Sequence, residues 1–182
     1  EHGWFDKRWM YEESFRMPFL IKCPGKIKPG TVSNDLIMNI DFAPTLLDFA
    51  QLKSPEEMQG KSFKSSFSDT STAFRESVYY HYYEYPIWHK VQPHYGIRTE
   101  RYKLIHFYYS MDEWELYDLE NDPQEINNIY QIASDSLVQF LKKKLSEAQK
   151  NYMDNGSLEE MKLMTDTVIT RVYNEPNKLK NQ

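Results

Sequence analysis

The sequence has very little cysteine, since Cys23 is its single thiol among 182 residues. One cysteine excludes an intramolecular disulfide and a cysteine-rich metal site, and it leaves the redox compartment open. Long apolar runs are missing too, because no stretch approaches the roughly 20 residues that a membrane-spanning helix needs. We therefore expect no membrane partner for this sequence.

An excess of positive charge is also missing. The chain has 22 Lys and Arg against 27 Asp and Glu, which gives a net charge of −5 and a pI near 5.6. No basic stripe with interleaved aromatics occurs, so nucleic acid is not an expected partner. Aromatic residues are abundant instead, at 15% of the chain with 14 tyrosines. Such side chains bury large areas and line sugar-binding and interface surfaces.

Apolar residues in the first third of the chain predict the edge of an α/β layer. Residues 19–21 form a short apolar run before the Pro24-Gly25 turn, which favours a buried strand. Residues 36–40 predict a second brief strand. Asp41 is then expected to cap an amphipathic helix that carries Pro44 in its first turn, where proline is tolerated.

From Ser77 onwards, β-branched and aromatic residues favour strands. Four short antiparallel strands are predicted, at residues 78–83, 95–99, 102–108 and 114–119. Ser134 is expected to cap a helix that runs to about Tyr152. Its apolar face is predicted to contain Leu137, Phe140, Leu141, Leu145 and Ala148 and to cover the sheet. Residues 157–182 are expected to form one more helix and a polar tail.

Several motifs occur in an order that sulfatases share. They are Glu1-His2-Gly3 with Lys7 a few residues on, Arg16-x-Pro18, Asp41-Phe42-Ala43-Pro44-Thr45-Leu46-Leu47, Tyr95-Gly96-Ile97-Arg98-Thr99, and Glu115-Leu116-Tyr117-Asp118-Leu119 followed by Asp122-Pro123-x-Glu125. Over about residues 1–150 the chain resembles the C-terminal portion of a sulfatase of the alkaline-phosphatase-like superfamily. The resemblance is closest to bacterial glycan sulfatases such as N-acetylglucosamine-6-sulfatases.

The resemblance implies an α/β fold, made of the end of an alkaline-phosphatase-like α/β sandwich and a small C-terminal four-stranded antiparallel sheet packed on a helix. The expected domains are the end of the catalytic domain at residues 1–60, a C-terminal subdomain at 61–152, and a helical or polar tail at 153–182. The sequence opens with Glu1 rather than Met, so we expect a catalytic portion to precede it.

The resemblance also implies the chemistry. Sulfatases use a formylglycine nucleophile and a calcium ion, and Lys7 matches their sulfate-contacting lysine. His2 belongs to the same motif, with a structural role. The nucleophile and metal ligands would precede Glu1, so we expect no metal ligand on this chain and no hydrolysis by the chain alone. Cys23 lies in Lys22-Cys23-Pro24-Gly25 rather than in the C-x-P-S-R motif of the nucleophile, and is expected to act as a small apolar residue.

Histidines and aromatics are frequent between residues 81 and 98, and the loop from Tyr85 to Pro93 is the expected substrate rim. Trp88 is a candidate for stacking on a sugar, and the other candidates for substrate contacts are His81, His89, His94 and Arg98. Their spacing fits no zinc pattern, and packing of the sheet is the alternative role. Residues 101–103, Arg-Tyr-Lys, are interpreted as turn and strand-surface residues.

The sequence is compatible with three functions. The first is hydrolysis of sulfate esters of a sulfated carbohydrate, with the chain supplying pocket residues. The second is a carbohydrate-binding or interaction module built on the aromatic sheet. The third is a phosphatase or phosphonate hydrolase, because one fold hosts several of these reactions. The resemblance suggests a periplasmic or secreted location.

Overall fold

A four-stranded sheet is the main β element of the chain, in a computed structural model that describes residues 2, 7–67, 73–85 and 89–174. The strands are β1 (Ser77–Tyr82), β2 (His94–Thr99), β3 (Tyr102–Tyr108) and β4 (Asp112–Asp118), and they lie side by side in chain order. β3 pairs antiparallel with both β2 and β4. The predicted four-stranded antiparallel sheet is therefore confirmed.

One face of the sheet packs against helix α3 (Asp135–Asn151). Ile97, Leu104 and Leu116 are fully buried against Leu141 of this helix. The hydroxyl of Ser134 accepts a hydrogen bond from the Leu137 amide, which is the expected N-cap. The predicted helix is thus confirmed.

The expected place of Phe140 on the covered face of α3 is wrong. Its side chain is 52% exposed, whereas that of Leu141 is fully buried. At about 100° of rotation per residue, position 140 points away from the direction shared by positions 137, 141 and 145.

The opposite face of the sheet is covered by an irregular segment at residues 9–11 and the short helix α1 (Glu12–Phe15). Met10 and Tyr11 of this segment pack on Ile105 and Phe107 of β3. Gly96 permits the close approach, since a β-carbon there would lie 2.7 Å from the Met10 sulfur and 2.4 Å from the Leu104 carbonyl oxygen.

Residues 18–78 form a separate compact unit, which contains helix α2 (Phe42–Phe49) as predicted. The fully buried Asp41 organises this unit, because its carboxylate receives two hydrogen bonds from Arg75, at 2.5 and 2.9 Å, and one each from the amides of Met38 and Lys61. Burial alone would raise the pKa of Asp41, but these donors outweigh it and hold the pKa below its usual range.

The two strands predicted at residues 19–21 and 36–40 are wrong. Both stretches are irregular apart from a 3₁₀ turn at Asn39–Asp41, and Leu20 is 96% exposed. An apolar run becomes a buried strand only where neighbouring strands satisfy its backbone groups. Within the described part of residues 18–78, such strands do not occur before β1.

Residues 1–17 and 79–182 make up the other compact unit. Its last described elements are helix α4 (Leu158–Ile169), whose Ser157 and Glu160 form a capping box, and a π-helical turn at Thr170–Asn174. The helix predicted after residue 157 is confirmed in position, and the three expected domains remain a prediction. Among the described helices, all are too short or too polar to cross a bilayer.

Candidate functional site

Lys7 lies exposed beside residues that tie its segment to the sheet. The next residue, Arg8, donates from Nε to Oε2 of Glu84 at 3.2 Å, and its carbonyl accepts the Tyr80 hydroxyl at 3.0 Å. The Arg8 side chain is only 21% exposed. The chain on which Lys7 sits is therefore fixed to the end of β1 and to the residues that follow it.

Glu84 also lies near His89. The Nδ1 atom of His89 lies 3.9 Å from Oε2 of Glu84, and the Tyr82 hydroxyl lies 3.4 Å from the same oxygen. Burial, and next the Glu84 charge, raise the pKa of Tyr82 to about 12, so its hydroxyl stays a donor. His89, which was predicted from sequence, thus lies near a charged cluster that contains Arg8, the residue after Lys7. Trp88 lies outside the described residues, and its role stays a prediction.

His94 is fully buried in an aromatic cluster under the Lys7 segment. Its ring centroid lies 5.0 to 5.9 Å from those of Trp9, Tyr80, Tyr82 and Phe107. Nδ1 donates to the Gln92 carbonyl at 2.8 Å, whereas the buried Nε2 has no hydrogen-bond partner. Burial lowers the pKa of His94 to about 4, so the ring is neutral near pH 7. These contacts position aromatic rings, and a substrate contact by His94 stays a prediction.

His81 lies on the opposite face of the sheet. Its Nδ1 is 2.6 Å from the Asp154 carboxylate and its Nε2 is 2.9 Å from the Tyr108 hydroxyl. Burial lowers the pKa of His81, although Asp154 opposes this effect. With its side chain only 2% exposed, His81 is engaged within the protein, and its predicted contact with substrate remains a prediction.

Arg98 pairs with α1 rather than pointing into solvent. Its guanidinium lies 3.3 Å from Oε2 of Glu12, and its side chain is 14% exposed. Burial alone would raise the pKa of Glu12, but Lys103 and Arg98 outweigh it and keep that pKa low. Arg98 therefore helps to hold α1, and its predicted role in binding substrate stays a prediction.

The sequence prediction for Lys103 is wrong. We expected it near the turn or on the strand surface, but its side chain is fully buried, with its ammonium 2.9 Å from Glu12 and 2.6 Å from Glu125. It also donates to the Met10 carbonyl. The Glu12 amide in turn donates to Oε2 of Glu125 at 2.6 Å. Three charges thus lock the segment just beyond Lys7 onto β3.

His2 has the surroundings of a structural residue. Its ring stacks on Tyr11 at 3.9 Å, and Nε2 lies 3.2 Å from the Gln124 carbonyl. His2, Glu13 and Glu125 also offer ligand atoms within 4.8 Å of one another. However, Glu125 already binds Lys103 and the Glu12 amide, and calcium prefers a shell of oxygen ligands. This group therefore does not fit a calcium ion.

Comparison with known families decides where the chain belongs. Residues 1–151 match the model of the C-terminal region of N-sulphoglucosamine sulphohydrolase. The chain belongs to this sulfatase family. Its fold is accordingly the α/β class expected from the motifs, and structures of the alkaline-phosphatase-like fold resemble it. One of these is a phosphonate monoester hydrolase from Silicibacter pomeroyi, at a TM-score of 0.55 and 19% identity, which shows the fold alone.

One relative and one solved structure are much more similar to this chain. An N-acetylglucosamine-6-O-sulfatase from Bacteroides thetaiotaomicron is 52% identical over 85% of this chain and 28% of its own length. A protein solved in complex with its substrate D-glucosamine-2-N,6-O-disulfate has a TM-score of 0.83 and 50% identity, over 88% of this chain and 33% of its own. The chain therefore spans about a third of the length of these sulfatases.

Sequence reasoning missed three of the residues that organise this sulfatase region: Arg8, Glu84 and Asp154. Arg8 stands in the charged and aromatic opening stretch, but its partner is 76 residues away. Asp154 follows the predicted end of α3 and belongs to none of the recognised motifs. Glu125 was part of a recognised motif, which gave no sign that it binds Lys103. These pairings depend on which residues the sheet brings together.

Proposed function

We propose that this chain is the C-terminal portion of a sulfatase that hydrolyses sulfate esters of a glycan, with N-acetylglucosamine 6-sulfate as the expected sugar. The observation that carries the proposal is 52% identity with an N-acetylglucosamine-6-O-sulfatase along 85% of this chain. The likeness to the structure that holds a 6-O-sulfated glucosamine supports the same sugar class.

In this proposal Lys7 supplies positive charge to the sulfuryl group. Negative charge builds up on the oxygens around sulfur as the ester bond breaks, and a charge already in place there needs no reorganisation. An ammonium group suits this role as a compact point charge. Arg8 and the buried Lys103 hold the chain on either side of residue 9, so they restrict where the Lys7 backbone can lie.

His89 and Trp88 are proposed to line the sugar side of the pocket. His89 lies beside Glu84, which the Arg8 guanidinium binds, so it is close in space to the Lys7 segment. Imidazole and carboxylate groups can bind sugar hydroxyls, and an indole ring can stack on a sugar face. The sulfate would then lie at Lys7 with the ring directed towards residues 84–89.

Calcium and formylglycine are proposed for the longer protein on the basis of the family resemblance. They would supply a Lewis acid for the sulfate and a nucleophile for sulfur. Among the described residues of this chain, the one group with three close ligand atoms does not fit calcium.

A substrate panel tests the proposal. The longer protein containing this chain should hydrolyse N-acetylglucosamine 6-sulfate at a kcat/KM at least ~100-fold above that for the matching 6-phosphate and for a phosphonate monoester. A higher kcat/KM for the phosphate or the phosphonate would instead favour the second candidate function, for which the fold shared with a phosphonate monoester hydrolase is the specific observation. Binding of the sulfated sugar without turnover would favour a carbohydrate-binding module.

A further inference from the structure

Residues 152–174, which follow the family match, are anchored beside the proposed substrate rim. Asp154, between α3 and α4, accepts hydrogen bonds from the hydroxyls of Tyr79 and Tyr83 at 2.5 and 2.9 Å and lies 2.6 Å from His81. Burial alone would raise the pKa of Asp154, but these donors outweigh it and keep the carboxylate charged. Tyr83 is the first residue after β1, so this anchor fixes the start of the rim.

A second anchor lies on α4 itself. Asp166 accepts a hydrogen bond from the Tyr109 hydroxyl at 2.5 Å, and that bond is the main reason that the pKa of Tyr109 rises to about 12. The Tyr109 ring packs on the Tyr85 ring at 5.5 Å between centroids. Helix α4 thereby contacts Tyr109, which in turn packs on Tyr85, the residue after Glu84.

The same turn between β3 and β4 also holds the far end of the rim. The hydroxyl of Ser110 donates to the Gln92 side chain at 2.7 Å, and the Tyr108 amide donates to the Pro93 carbonyl at 3.2 Å. Lys162 of α4 adds an ion pair, 3.7 Å from Asp112 on β4. Helix α4 therefore supports a turn that contacts Tyr85 and Gln92, which lie in the two described stretches, 83–85 and 89–92, of the rim segment.

We propose that Asp154 and Asp166 are positioning residues, through which the chain beyond the family region sets the rim segment for an extended sulfated glycan. This inference rests on the proposed function. Its physical basis is that two contacts hold the Lys7 segment without the rim segment, the Tyr80 hydroxyl at the Arg8 carbonyl and Lys103 at the Met10 carbonyl. Tyr83 and Tyr85, in contrast, are reached through the two aspartates. Loss of the aspartates should therefore weaken contacts with the sugar and spare the sulfate.

Alanine variants in the longer enzyme separate these two effects. Asp154→Ala and Asp166→Ala should each raise KM for a 6-O-sulfated N-acetylglucosamine oligosaccharide about 5- to 20-fold, and should leave kcat/KM for a small aryl sulfate within about two-fold. Asp154→Asn keeps one acceptor oxygen and should restore most of the lost affinity. Glu159→Ala, which removes an exposed carboxylate from α4, is the matched control. It should change neither the KM for the oligosaccharide nor the kcat/KM for the aryl sulfate.

Hydrogen exchange supplies a measurement that does not need turnover. Amides of residues 83–85 and 89–92 should exchange several-fold faster in Asp154→Ala and Asp166→Ala than in Glu159→Ala. Unchanged exchange rates, or an equal loss of kcat/KM for both substrates, would overturn the inference. If the unaltered enzyme hydrolyses neither substrate, the proposed function fails, and the exchange result still decides whether the aspartates hold the rim segment.

Discussion

Buried charge characterises the surroundings of Lys103. Its ammonium is enclosed with Glu12 and Glu125, and both Lys103 and Glu125 are fully buried. Removing one partner of such a group is costly, because the remaining charge stays in a medium that solvates it poorly.

Replacement of Lys103 tests this arrangement. Lys103→Met should lower the free energy of unfolding by about 3–5 kcal/mol, because Glu125 would stay buried without its cation. The double variant Lys103→Met with Glu125→Gln should recover part of that loss. Arg101→Gln, which removes an exposed pair with Asp118, should cost under about 1 kcal/mol. Denaturant titrations measure all three, and equal losses for Lys103→Met and Arg101→Gln would contradict the account.

His94 should make stability depend on pH. Its pKa falls to about 4 in the folded chain from an ordinary 6.5, so the unfolded chain binds the proton more tightly. Its contribution is complete above about pH 6.5 and is lost as the pH falls towards 4, a change of roughly 3 kcal/mol.

The variant His94→Phe should remove this contribution. Phenylalanine fits the aromatic surroundings, and the unpartnered Nε2 atom shows that only the bond to Gln92 would be lost. Thermal unfolding between pH 7.5 and 4 should therefore show a shallower fall for the variant than for the unaltered protein. Parallel curves for the two proteins would show that His94 is not responsible.

At the scale of elements, the strands and helices of the second half followed closely from local pattern. Alternating aromatic and β-branched residues gave four strands, and Ser134 marked the start of α3. The strands expected at residues 19–21 and 36–40 failed, because an apolar run does not reveal whether neighbouring strands are present. Local pattern therefore predicts an element best when its partners lie on the same chain.

The face of α3 that packs on the sheet can be tested with adjacent residues. Leu141→Ala should lower the free energy of unfolding by about 2–5 kcal/mol, since it opens a cavity in a fully buried site. Phe140→Ala is the matched control, and it should cost under about 1.5 kcal/mol because that ring is 52% exposed. Chemical denaturation compares them, and a larger loss for Phe140→Ala would restore the face expected from the sequence.

At the scale of the whole molecule, the motifs revealed the family but not the contacts that organise its site. The order of the motifs identified a sulfatase region, and the family match over residues 1–151 confirms it. The pairs Arg8–Glu84, Lys103–Glu125 and Tyr83–Asp154 join residues between 22 and 76 positions apart. Such pairs form when the sheet folds, and single-sequence patterns do not encode them.

The central claim is that Lys7 places positive charge beside the sulfuryl group, and kcat of a Lys7 variant tests it most directly. In the longer enzyme, Lys7→Ala should lower kcat for N-acetylglucosamine 6-sulfate by about 10²–10³, the usual cost of losing one group that stabilises developing charge. Lys143→Ala, which removes an exposed lysine from α3, is the control. A kcat for Lys7→Ala within two-fold of the unaltered enzyme would contradict the account.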